Sequence, residues 1–212
     1  MDKVEIVFPW NSKWKNHFAN LEINWHLVWK NVHNNMLQYK VQSSLLEFMN
    51  LNFISSFNLN RMYNTSNLCL QCKMPEENIF HIQIYCPVSI RIYDKFLPLL
   101  NAIYEIELTE KEIAFGLDIT DWSNQRKETL RNYIFSIIKY TIFKNRCSVQ
   151  ISNEQKIESI FNKSKKFIIK DLKLGFELAK KNKNITKFEE NFLIENVLAQ
   201  YQEDTGVLVF NI

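Results

Sequence analysis

Glycine and proline are scarce in this chain, with 3 Gly and 4 Pro in 212 residues. Sheets closed by tight turns use glycine at the corners of their hairpins, so this supply argues against a fold built mainly on β-hairpins. Long apolar runs are lacking too. Nothing approaches the roughly 18 apolar residues of a membrane span, and a membrane protein is not expected. No two aspartates are adjacent, and no phosphate-binding glycine-rich loop, Gly-x-Ser-x-Gly elbow or His-Glu-x-x-His motif occurs. Polymerase chemistry needs paired aspartates that hold two divalent metals, and restriction-like nuclease carboxylates are equally unrecognisable. The chain is therefore not expected to be an enzyme by itself. Its start, Met1-Asp-Lys-Val-Glu-Ile, is polar and carries no signal-sequence pattern, which points to the nucleus or cytoplasm.

What is present is a helical pattern with enough apolar residues, 46%, for a substantial core. Trp25, Val28, Trp29, Val32 and Met36 recur at spacings of three and four, the mark of one apolar helix face. A second helix is expected from Gln38 through Phe53, with Val41, Leu45, Phe48 and Met49 on one side. An Asn- and Ser-rich stretch then leads to Cys69. Further helices are expected over Val88 to Tyr104, with Pro98 as a kink or boundary, and over Glu107 to Leu117, opened by Thr109 and Glu112 in capping-box spacing. Leu130, Tyr133, Ile134, Ile137, Ile138, Thr141 and Ile142 make the best-defined stripe. Residues 154–183 read as a long Lys-rich helix, followed by an acidic helix from Phe188 to Tyr201 and a strand-like run from Thr205 to Ile212. The expected fold class is mainly α, a helical domain with an embedded CCHC zinc knuckle. It divides into an N-terminal helical segment (1–60), the knuckle region (61–103) and a C-terminal basic helical region (104–212).

Three of the four cysteines fall in Cys69-x2-Cys72-x8-His81-x4-Cys86. Two thiolates two residues apart can grip one metal ion, and a His and a third Cys complete a tetrahedral set. Thiolate with imidazole suits zinc, and four protein ligands leave no open position, so such a site holds structure and does not catalyse. Unrelated core thiols and a disulfide are the alternatives; the disulfide is the weaker, because nothing points to an oxidising compartment. Cys147 is expected in a different helix as a core filler. His17, His26 and His33 lack an accompanying Cys or carboxylate cluster and read as surface or satisfied histidines.

The net charge of +3 is unevenly spread, because residues 125–183 carry 15 basic and 5 acidic groups while the flanking segments are acidic. A concentrated positive field suits phosphate backbones; a solvated Lys-rich face is the plain alternative. Within this segment Arg131, Phe135, Lys139, Phe143 and Arg146 interleave bases with aromatics. Stacked bases and phosphates would fit that stripe, but so would a helix buried on two sides with cationic stems lying over rings, and packing is the favoured reading.

The order of these features resembles the zinc-binding region C-terminal to the reverse transcriptase domain of non-LTR retrotransposon polyproteins. The resemblance is carried by Trp25-His-Leu-Val-Trp29, Lys40, an apolar helix ending Leu59-Asn-Arg61-Met, Cys69-Leu-Gln-Cys72, Glu76-Glu-Asn-Ile-Phe-His81-Ile and Cys86-Pro, with Ile137-Ile-Lys139-Tyr-Thr-Ile142-Phe-Lys144-Asn-Arg146 further on. It covers about residues 25–148. Two positions depart from the family pattern: Lys73 stands where a Gly usually follows the second Cys, and Glu77-Asn78 where a Thr is usual. The resemblance implies a chain that binds Zn2+ and holds template RNA or target DNA for an upstream reverse transcriptase domain, as a fragment or separately encoded remnant. Lys139, Lys144, Arg146, Lys163, Lys165 and Lys166 are the expected phosphate contacts. The second reading, from another class, is a zinc-stapled domain that mediates protein–protein contacts.

Overall fold

In the computed structural model, residues 9–19, 22–51, 55–105, 107–118, 122–147 and 152–212 are described. The helices among them are α1 (Pro9–His17), α2 (Trp25–Val32), α3 (Tyr39–Met49), α4 (Ser56–Tyr63), α5 (Pro87–Ile103), α6 (Glu110–Phe115), α7 (Gln125–Asn145), α8 (Asn153–Lys181) and α9 (Ile185–Phe192). A short π-helical turn, His81–Tyr85, precedes α5. Strands β1 (Ala199–Gln202) and β2 (Val207–Phe210) pair antiparallel, Ala199 opposite Phe210. The fold is mainly α, as the scarcity of glycine implies.

Local sequence sets most of the boundaries. Thr109 and Glu112 form a capping box at α6, Ser152 and Gln155 another at α8, and the side chains of Asn24 and Ser55 accept from the first turns of α2 and α4. Helix α5 begins with Pro87 at its first position, where a missing N–H costs nothing, and runs on through Pro98. The segment before Cys69 contains α4, ended by Asn64 in the left-handed region at φ 51°. The helix expected from Gln38 stops at Met49; Phe53 lies outside the described residues. The acidic helix expected to reach Tyr201 stops at Phe192, because 199–202 are claimed by pairing with β2. Cys147 is exposed in the turn just beyond α7, not a core residue.

Helix α7 is the axle, packing against α2, α3, α5, α8 and α9. It is buried almost all round, which is why its apolar stripe is joined inside by polar residues. Asn132 accepts from Leu117 N (2.7 Å) and donates to Asn31 Oδ1 (3.2 Å), locking α2 and the α6–α7 connection to the axle. Gly116 lies at this junction with φ 87°, and a Cβ there would come within 2.7 Å of Asn132 Oδ1. Helix α1 is anchored by Trp14, fully buried, whose indole N–H donates to Met49 O at 2.9 Å. Buried residues from Trp14 to Leu208 form one hydrophobic cluster, to which all three sequence segments contribute.

The interleaved stripe of α7 is interior. Arg131 is fully buried and donates to Tyr104 O (2.5 Å) and Asn101 Oδ1 (3.2 Å). Lys139 is buried, with Nζ donating to Ala114 O at 2.9 Å and lying 5.5 Å from the Phe48 ring centre. Burial pulls its ammonium down to about 7. The sign of the consequence is fixed. Between about pH 7 and the ordinary Lys range the unfolded chain holds a proton that the folded chain has released, so stability rises with pH through that window. Lys139→Met is expected to remove this rise, which is limited to about 1.4 kcal/mol per pH unit. Urea unfolding of both proteins from pH 7 to 8.5 checks it, and equal slopes would contradict it.

Candidate metal centre

Cys69 and Cys72 lie on one tight turn, in which Cys69 N donates to Met74 O (2.7 Å) and Lys73 N to Cys69 O (2.9 Å). Lys73 takes φ 64°, the left-handed conformation for which glycine is the usual choice, so the turn keeps its shape with a side chain at a cost of roughly 1–2 kcal/mol. His81 and Cys86 come from the π-helical turn. Residues five apart on an α-helix stand about 140° apart around its axis. Here Cys86 N donates instead to His81 O at 2.6 Å, the wider i to i+5 closure, which brings both side chains to one side. Asn78 Oδ1 accepts from His81 N (2.9 Å) and caps the turn.

The four ligand atoms of Cys69, Cys72, His81 and Cys86 lie within 4.8 Å of one another. Cys69 Sγ is 3.9 Å from Cys86 Sγ, and Cys72 Sγ is 3.2 Å from His81 Nε2. A tetrahedral ion bonded to sulfur at about 2.3 Å sets sulfur–sulfur edges of about 3.8 Å, so the cage has the size for one metal ion. Hydrogen bonding to Cys86 and burial push Cys69 up to about 12, while the same bond holds Cys86 below its ordinary value; burial raises Cys72.

The surroundings fit a bound cation. Gln71, 1% exposed, has Oε1 4.0 Å from Cys86 Sγ, while its Nε2 meets no acceptor among the described residues. Turned over, the same amide donates to the Cys86 thiolate, the species that metal binding requires. Gln71 N also points at Cys69 Sγ, at 3.4 Å. Three thiolates around a divalent ion leave one negative charge, and a buried cation stands beside them: Lys156, from the first turns of α8, donates to Leu70 O (3.2 Å) and Gln71 O (3.3 Å). The cage is thereby fastened to the Lys-rich helix.

Glu77 holds the other side. It is fully buried; Oε1 accepts from Ser56 N (2.9 Å) and Ser56 Oγ (3.0 Å), Oε2 accepts from Leu70 N (2.7 Å), and Arg146 Nε lies 3.7 Å away. Its backbone pairs with Phe57 N and Asn67 O. One carboxylate therefore joins the knuckle, the N-terminus of α4 and the end of α7. Among the described residues, His81 is the histidine that joins the cage. His17 stacks on Phe80 at 3.7 Å and shares a 2.9 Å hydrogen bond with Tyr85 Oη, and its pKa is lowered by burial.

The expected phosphate contacts separate into two groups. Lys139 and Arg146 are buried, the first on Ala114 O and the second over the Phe143 ring (4.1 Å) beside Glu77, so neither presents its charge to an external phosphate. Lys144, Lys163 and Lys166 are exposed, and Lys165 is half-buried with Nζ 5.3 Å from the Phe161 ring centre. Gln71, Glu77 and Lys156 complete the centre without having been expected. Glu77 was visible only as one of an acidic pair, and Lys156 lies 85 residues beyond the carbonyl of Gln71 that it binds.

Removing the carboxylate charge leaves three donors and a guanidinium around an amide. Glu77→Gln is expected to cost about 3–5 kcal/mol in urea unfolding, with Arg146→Met costing less in the Glu77→Gln background than alone. Additive losses would show that the two side chains are not coupled.

Compared with protein-family models, with curated proteins and with solved structures, the chain matches none.

Proposed function

We propose that this chain is a nucleic-acid-binding zinc module, of the kind found C-terminal to the reverse transcriptase domain of non-LTR retrotransposons, and that it is not catalytic by itself. The metal is zinc, held as a closed set by Cys69, Cys72, His81 and Cys86, and its role is to fix chain geometry. The nucleic acid is template RNA or target DNA, and an upstream reverse transcriptase domain would be the partner in a longer protein. One observation carries this reading: Lys156 fastens the cage to α8, which exposes Lys163, Lys166, Lys170 and Lys173 at intervals of three and four residues. A basic helix set at a fixed angle by a metal staple gives phosphates a rigid rail.

The second reading, a zinc-stapled domain for protein contacts, is favoured by an apolar surface around the knuckle. Met62 (68% exposed), Tyr63 (67%) and Met74 (49%) lie on α4 and the knuckle turn. Exposed methionines and aromatics are typical of protein-binding patches.

Elemental analysis of the purified protein is expected to find one zinc per chain, lost in the Cys69→Ser/Cys72→Ser double variant. Because bound cysteines are thiolates and Cys69 and Cys72 hold their protons more firmly than ordinary thiols, zinc retention should fall as pH falls. Removal of zinc should also weaken RNA and DNA binding at fixed salt. Zinc absent from the native protein would refute the metal assignment. Nucleic-acid binding that is absent at low salt, alongside a partner lost on Met62→Asp, would favour the second reading.

A further inference from the structure

The first turn of α3 crosses α8 along a seam where cations and rings meet. Gln38 Nε2 donates to Asp171 Oδ1, and Tyr133 Oη donates to Asp171 Oδ2 at 2.7 Å, so the Asp171 carboxylate at the crossing is already engaged. Lys40 Nζ lies 4.6 Å from the centre of the Phe167 ring, which packs edge-on to Tyr140 at 5.7 Å. On the outer side of Phe167, Lys163, Lys166 and Lys170 are exposed. Lys163 Nζ donates to Asn145 Oδ1 (2.7 Å), which places it beside exposed Lys144 at the end of α7. At the mouth of the seam, next to Gln38 and Lys40, Tyr39 is 82% exposed.

The Tyr39 ring is open to water at the head of α3, beside Lys40, which itself lies over Phe167 of the Lys-rich helix. An aromatic face held out to solvent can stack on any base whose own face is free. Bases inside a duplex are not free in that way, whereas those of an unpaired strand are. Three lysines at steps of three and four residues advance about 4.5–6 Å per step along the helix, enough for successive cations to meet different phosphates of one strand.

We infer that the α3–α8 seam is a binding site for single-stranded nucleic acid, with Tyr39 stacking on a base and Lys40, Lys163, Lys166 and Lys170 contacting its phosphates. The inference rests on the nucleic-acid reading above and narrows it to unpaired strands. Both Tyr39 and the outer lysines are exposed, so their replacement leaves the core intact.

Fluorescence anisotropy of the zinc-loaded full chain with labelled oligothymidylate, and with a duplex of the same length, tests it. The single strand is expected to bind more tightly than the duplex. Tyr39→Ala should weaken single-strand binding by about tenfold, with the slope of log affinity against log salt unchanged, because a stacked ring displaces no counterion. Lys163→Gln/Lys166→Gln/Lys170→Gln should lower that slope by about two units, at roughly 0.7 per lost phosphate contact on a single strand. Three outcomes overturn the inference while leaving nucleic-acid binding in place: a duplex bound as tightly as the single strand, full affinity in Tyr39→Ala, or an unaltered salt slope in a triple-lysine variant with normal helicity and zinc content. Displacement by polyglutamate at the same charge concentration as by oligothymidylate would mark a general polyanion surface and also overturn it. Failure of both nucleic acids to bind at low salt would instead refute the reading on which it rests.

Discussion

The Glu77 carboxylate, taken wholly out of water, is the constraint on which the centre depends. A carboxylate in the interior is tolerable only where polar partners answer it, and here they come from three places distant in sequence: hydrogen bonds from Ser56 at the head of α4 and Leu70 inside the knuckle, and the guanidinium of Arg146 at the end of α7, 3.7 Å away. Once those three are in place, the turn that carries Cys69 and Cys72 cannot swing away from the π-helical turn that carries His81 and Cys86. The cage thus receives its shape from the protein on one side through Glu77 and on the other through Lys156. A metal ion would complete an arrangement that is already braced, and its net charge with three thiolates has a buried cation beside it.

The same logic sorts the positive charge of residues 125–183. By composition this segment is one basic block. In the fold Arg131, Lys139, Arg146 and Lys156 point inward, each answered by carbonyls, an amide oxygen, an aromatic ring or a carboxylate, while Lys163, Lys166, Lys170 and Lys173 of α8 are exposed. Buried cations hold the axle and the cage; exposed ones supply the external field. Among the described residues a carbonyl and a ring answer the buried Lys139 ammonium, and its pKa falls with burial.

Asparagines close many of the junctions: Asn24 and Asn78 cap turns, Asn64 takes a left-handed helix end, and Asn31 with Asn132 forms the clamp between α2, α6 and α7. A side chain with both a donor and an acceptor can close such junctions where a glycine-poor sequence has few other ways to end helices.

Local periodicity and capping chemistry decided a good deal on their own. The stripe at Leu130 to Ile142, the capping box at Thr109, Pro87 at a helix start and the metal-ligand spacing of Cys69, Cys72, His81 and Cys86 are all properties of neighbouring residues, and each is realised where the spacing puts it. The packing reading of the stripe is the favoured one and holds, but the same Lys139 and Arg146 are also expected on phosphates, because a basic and aromatic stripe looks the same whether its second face meets water or another helix. The end of α9, where β1 is held by a strand still to come, and the exposure of Cys147 were not legible. Glu77 and Lys156 belong with these. Their roles arise from contacts that span 21 residues to Ser56 and 85 to Gln71, and such contacts exist only after the helices have packed. The sequence by itself therefore determined most of the helices and the Cys and His spacing that gathers into the cage; tertiary packing alone decided which charges are buried, because burial depends on what lies opposite a residue and not on what stands beside it in the chain.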